Sequence, residues 1–121
     1  MTQSAEEFRQ RTKTLALRVV RLVQSLPERD RVADVFGKQL LRCSTSVGAN
    51  YRAACRGRSP AEFRAKLGIV EEELDETIYW IEMLVGAELV KQEMIGPLLD
   101  EANQILSMVV ASIKSSRGND K

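Results

Sequence analysis

Apolar residues recur at spacings of three and four along nearly the whole chain, and the breaks in that pattern fall where a helix would have to stop. Phe8, Leu15, Val19, Leu22 and Leu26 hold a seven-residue repeat, with Val23 beside them and Leu17 and Val20 off the stripe. Pro27 follows the last of these and cannot continue a helix, so the first helix is expected over about residues 4–26. PERDR then connects to a second helix, over about 30–56, whose stripe is Val32, Phe36, Leu40, Cys43, Val47, Asn50 and Ala54. Leu41, Ser44, Gly48, Tyr51 and Cys55 fall on another side of it. Gly48 and its neighbours CSTS are weak helix formers, which predicts a local bend, and their small size would admit a second helix closely.

The third helix, over about 60–86, has the clearest start. Ser59-Pro60-Ala61-Glu62 places serine at the N-cap, proline at the first helical position and glutamate three residues after the serine. Phe63, Leu67, Val70, Leu74, Thr77, Ile81 and Leu84 keep heptad spacing behind it. Ile69, Trp80 and Met83 form a second apolar group on a different face, with Glu73 and Glu76 among them. Two apolar faces exceed what one bundle uses, so this face is expected to be a subunit interface anchored by Trp80. After a turn at 86–90 a fourth helix is expected over about 91–116, with Met94, Leu98, Ala102, Ile105, Val109 and Ile113 inward. Gly96-Pro97 predicts irregular or kinked first turns, and residues 117–121 a frayed polar tail. With aromatics at only 5% and no period of two, strands are not expected. Four amphipathic helices with short connections predict an all-α, antiparallel up-down-up-down four-helix bundle in one domain spanning 1–121.

Charge sharpens the picture. Residues 1–60 hold 12 basic and 5 acidic residues, a balance of +7, whereas 61–121 hold 6 and 12, a balance of −6. Two readings stand: one charged surface meets a partner, or the two halves meet each other. On the second helix Lys38, Arg42, Arg52 and Arg56 fall within about 80° of one another, opposite the core stripe, and Arg58 extends the run. The stripe reads as a phosphate-contacting surface, with Tyr51 nearby, or as a face that stays solvated or docks on the acidic third helix of a neighbour. Asn50, at a core-type position, is expected to be a hydrogen-bonded, fold-specifying amide.

Catalytic chemistry is sparse. The chain has no histidine, which removes His-dependent triads, Glu-x-x-His di-metal bundle sites and zinc HExxH motifs, and no phosphate-binding glycine pattern. The cluster Glu71-Glu72-Glu73-Leu74-Asp75-Glu76 is the one carboxylate run; Glu72, Glu73 and Glu76 would be a metal or acid–base site on an enzyme reading, and a solvated or salt-bridged face otherwise. The expectation is no enzyme and no cofactor. Cys43 and Cys55, twelve residues apart, are about 18 Å apart along one helix, too far for a disulfide within it. No run is long enough to span a membrane and no signal-peptide layout opens the sequence, so the cytoplasm is the expected location.

The stretch GKQLLRCSTSVGANYRAACRGRSPAEFRAKLGIVEEELDE with the following YWIEML resembles the bacterial four-helix-bundle family typified by proteins encoded in intervening sequences of 23S ribosomal RNA genes. The family pattern falls on Gln39, Leu40 and Arg42, on Ser46 and Asn50, on Gly57, Arg58 and Ser59, and on Glu76. Many members have proline where this chain has Gly48. The resemblance implies a left-handed bundle assembling into a homopentamer, and kinship with the accessory proteins of diversity-generating retroelements, which bind a reverse transcriptase and nucleic acid. The expected function is a homo-oligomeric scaffold that binds RNA or a nucleic-acid-handling protein, at Lys38, Arg42, Arg52, Arg56 and Arg58, with Ile69, Glu73, Glu76, Trp80 and Met83 between subunits. The alternative is a structural or protein-interaction ring without nucleic acid.

Overall fold

The computed structural model of the chain describes residues 4–118. Four helices account for nearly all of them: α1 (Ala5–Gln24), α2 (Arg31–Cys55), α3 (Pro60–Gly86) and α4 (Gln92–Gly118). Capping sets three of the starts. Ser4 Oγ accepts the Glu7 N–H, Asp30 Oδ1 the Ala33 N–H and Ser59 Oγ the Glu62 N–H, each satisfying a donor that the first turn leaves free. Helix α3 ends with Glu88 at φ 59° and the Leu89 N–H donating to the Leu84 carbonyl, a left-handed stop made without glycine.

The helices pack in a cycle. Contacts between α2 and α3 are the most extensive, α1 lies on α2, α4 lies on α3, and α1 touches α4 only lightly. Cross-helix neighbours run in opposite sequence directions at each junction: Phe8 meets Tyr51 while Val23 meets Gly37, and Phe36 meets Trp80 while Cys43 meets Thr77. Arg64 at the start of α3 likewise reaches Ser116 at the end of α4. That is the order antiparallel neighbours produce. No helix among the described residues is long and apolar enough to cross a membrane.

The expected core stripe holds throughout α3, where Leu67, Val70, Leu74, Thr77, Ile81 and Leu84 are buried. On α2 it does not. The buried set is Ala33, Gly37, Leu40, Cys43, Ser44, Val47, Tyr51 and Ala54, so Val32 is exposed and Phe36 and Asn50 are half-buried. Ala33, Leu40, Val47 and Ala54 keep a seven-residue spacing and stay buried, whereas Val32, Phe36 and Asn50 lie to one side of that line. Helix α2 also serves two neighbours, and its α1-facing side is lined with small residues. A Cβ at Gly48 would stand 3.3 Å from Thr12 Oγ1, and one at Gly37 3.1 Å from a Val23 methyl. Glycine here permits close approach, the second part of what the CSTSVG stretch predicted. Thr12 is buried with its hydroxyl returned to the Arg9 carbonyl, at 3.0 Å.

Two further expectations are corrected. Met94 is 75% exposed and Ile95 takes the inward position. Helix α4 runs unbroken through Gly96 and Pro97; proline in the second turn removes one amide donor, and the packed stripe from Ile95 to Ile113 carries the helix past it. The same helix continues through Arg117 to Gly118, so only 119–121 of the expected tail lie outside the described residues.

Candidate functional site

The basic stripe of α2 is divided by the fold. Lys38 pairs with Asp34 one turn earlier, at 3.1 Å in full solvent. Arg42 turns to α3, where its guanidinium bridges Glu73, at 3.3 Å, and Glu76. Arg52 and Arg56 turn the other way, toward α1, and gather with Arg9 around Cys55. A shallow groove continues along the α1/α2 seam, lined by Thr12, Lys13, Ala16, Thr45, Gly48 and Ala49. The seam is narrow because Gly48 has no side chain against Thr12, and that is what brings cations from two helices together.

Four cations, Arg9, Lys13, Arg52 and Arg56, thus share one face. Glu6 is the carboxylate that answers them: Arg9 Nη2 lies 2.7 Å from it. Hydrogen bonds from Arg9 and then Gln10 hold the Glu6 carboxyl below its ordinary range. Arg52 and Arg56 make no ion pair among the described residues. Below them the Tyr51 ring stacks at 4.4 Å on Phe8, and burial, then a hydrogen bond with Cys55, pushes its hydroxyl pKa upward. Tyr51 is therefore floor, not an exposed stacking platform. Arg58 lies past the end of α2, its N–H donating to Glu62 at 2.9 Å, beside Ser59 and Phe63 at the end of the bundle. Arg9 and Lys13 were absent from the sequence-based site; their spacing of four on α1 was visible, but the register of α1 against α2 was not.

Ile69, Glu73, Glu76, Trp80 and Met83 do share one edge, the outer seam of α2 and α3. Trp80 is half-buried against Phe36, centroids 5.4 Å apart, with Tyr79 set edge-on at 5.0 Å. One turn before Phe36 on α2, Val32 is 46% exposed, and Val35 beside it 53%, while Tyr79 on α3 is 51% exposed. Glu73 and Glu76 converge on Arg42 of their own chain. Among the described residues no three histidine, cysteine, aspartate or glutamate side chains gather as a metal site. Asn50 lies on the same outer side of α2, half-buried, and its Nδ2 donates to the Ser46 carbonyl one turn back at 2.9 Å. It is a self-satisfied surface amide and not a core contact. Ser59 is the α3 cap.

At the level of the whole fold, the basic first half of the sequence forms the α1/α2 layer and the acidic second half the α3/α4 layer. Each lateral seam between the layers is spanned by one arginine: Arg42 on Glu73 and Glu76, and Arg11 on Glu101 at 2.6 Å.

This arrangement has relatives. Residues 5–111 match the model of the family described as 23S rRNA-intervening sequence protein. A crystal structure of a protein of unknown function from the S23 ribosomal protein family of Bacteroides thetaiotaomicron superposes with a TM-score of 0.83 at 32% sequence identity, over 91% of this chain and 97% of that one. No curated protein matches the sequence. With the family model matching from α1 through most of α4 and a solved relative sharing the fold over nearly its full length, the chain belongs to the 23S rRNA-intervening sequence protein family.

Proposed function

We propose that this protein is a non-enzymatic, homo-oligomeric helical scaffold whose α1/α2 face binds RNA, free or within a ribonucleoprotein. The observation that carries the reading is the convergence of Arg9, Arg52 and Arg56 from two helices, with Arg52 and Arg56 in no ion pair among the described residues. Such a cluster neutralises phosphates without reading bases, and an oligomer repeats it, so a modest site on one protomer becomes a strong field on the assembly. Lys38 and Arg42, already paired with acids of their own chain, contribute little. The test is a titration of labelled single-stranded RNA at low and physiological salt. Saturable binding is expected, weakening linearly in log salt with about 0.7 of slope per phosphate contact. Arg52→Glu with Arg56→Glu should abolish it while helicity and native mass stay unchanged. No binding at low salt refutes the reading, and loss of assembly in the variant would make these arginines interface residues instead.

The exposed apolar edge around Trp80 favours a second reading, a structural ring without nucleic acid, in the subunit number of five that the family resemblance implies. On either reading Trp80→Asp should lower the native mass to that of a monomer. An unchanged mass would remove this edge from the interface.

A further inference from the structure

The α2/α3 edge carries charge of one sign along its α3 side. It is acidic as well as apolar: Glu72, Asp75 and Glu82 are exposed on α3 beside Tyr79 and Met83. A contact that brought the α3 sides of two such edges together would crowd these carboxylates, and like charges brought together are destabilising. The α3 side is complemented by an acceptor that is apolar and basic. One exists on the opposite side of the molecule.

Helices α1 and α4 are clamped together by Arg11 and Glu101, and beyond the clamp an opening is lined by the end of α1, the α3–α4 turn and the start of α4. The opening is a groove of about 660 Å³ lined by Leu22, Leu89, Val90, Met94, Ile95 and Leu98, with Arg18, Arg21 and Lys91 on its rim and no carboxylate in its lining. None of these three cations has an ion-pair partner among the described residues. Met94, at the lip, is the most exposed large apolar side chain among the described residues, at 75%. Because the helices pack in the cycle α1–α2–α3–α4, this groove lies on the lateral edge opposite Trp80. Val23 meets Gly37 and Phe36 meets Trp80, which places both patches toward the same end of the bundle.

We infer that the α1/α4 groove receives the α2/α3 edge of a second copy of this chain, with Tyr79, Trp80 and Met83 on the apolar floor and Glu72, Asp75 and Glu82 facing Arg18, Arg21 and Lys91. The inference rests on the homo-oligomeric reading above and specifies it: the contact joins two different surfaces on opposite sides of one protomer. Repeated, such a head-to-tail contact closes into a ring.

Charge exchange tests it. Arg18→Glu with Arg21→Glu in the groove, and separately Glu72→Lys with Asp75→Lys on α3, should each reduce the assembly to monomers by native mass spectrometry. Mixing the two variants should restore the contact as heterodimers or short alternating chains containing both, since each then offers the other a complementary face and strict alternation cannot close a ring of five. All four substitutions in one chain should restore assembly without mixing. Met94→Glu, on a side chain already in solvent, should weaken assembly without disturbing the fold. Persistent assembly of the groove variants, or failure of the mixture to recombine, overturns the pairing and leaves the oligomer standing. A monomeric wild-type protein overturns both this inference and the oligomeric reading, while RNA binding is scored separately.

Discussion

The Arg11–Glu101 clamp is the main polar closure on the lightest junction of the bundle, and its worth can be worked from its geometry. The guanidinium grips the carboxylate as a fork, Nη2 to Oε1 at 2.6 Å and Nε to Oε2 at 3.0 Å, with both side chains about a quarter exposed, 24% each. A charge-assisted bond contributes about 1.5–3 kcal/mol when shielded, and an open surface pair about 0.2–1 kcal/mol. A part-buried fork falls between, giving an expected coupling of about 1–2 kcal/mol. In a chain of this size that is on the order of 4–8 °C in Tm. Arg11 also donates to Met108 Sδ and Gln104, so the single substitution removes more than the pair. The assay is therefore a double-mutant cycle of Arg11→Met and Glu101→Gln, by urea unfolding. The pH dependence has a definite sign. Hydrogen bonding to Arg11, and then its charge, lower the Glu101 pKa against the opposing effect of burial. A carboxyl whose folded pKa is depressed stabilises the fold above its unfolded pKa of about 4.3 and loses that contribution as pH falls through the folded value. The coupling should be complete at pH 7 and vanish well below pH 4. A coupling under about 0.3 kcal/mol at pH 7, or one that survives in acid, would refute the assignment.

Two other measurements follow from the interior. Gly68 sits inside α3 with nothing within 4 Å of where a Cβ would be, so Gly68→Ala should stabilise the fold by about 0.8–1 kcal/mol in denaturant unfolding, and a destabilisation would show an unseen neighbour there. Burial pushes the Cys43 thiol pKa up, while Cys55 is exposed. A thiol reagent at pH 8 should therefore titrate one cysteine in the native protein and two after unfolding; two fast thiols would contradict the packing of Cys43 against Thr77.

The parts of this molecule that were legible in the sequence are those decided within one helix. The Ser59–Glu62 cap and the α3 heptad are local, and both appear where the pattern placed them. On α2 the same reasoning carried Val32 and Asn50 inward with the stripe, whereas the close approach to α1 is made through Gly37 and Gly48, of which the small-residue stretch around Gly48 was legible and Gly37 was not. The site was less legible for a related reason. A stripe on one helix says which cations share its face, but which of them survive as free charge depends on the neighbouring helices. Arg42 was claimed by Glu73 and Glu76, and Arg52 was joined by Arg9, through registers that no single-helix period contains. The groove beside Met94 is less visible still, because it is assembled from the end of α1, the α3–α4 turn and the start of α4.

The layering of charge has a consequence for kinetics. With +7 on the first half of the sequence and −6 on the second, the protomer carries an electric dipole lying across its helices, although its net charge is only +1. Two such molecules approaching in solution exert little monopole repulsion and a considerable torque, so they rotate toward alignment before their surfaces touch. Added salt should then slow the encounter once the screening length drops toward about 8–10 Å, and leave the lifetime of the formed contact far less affected.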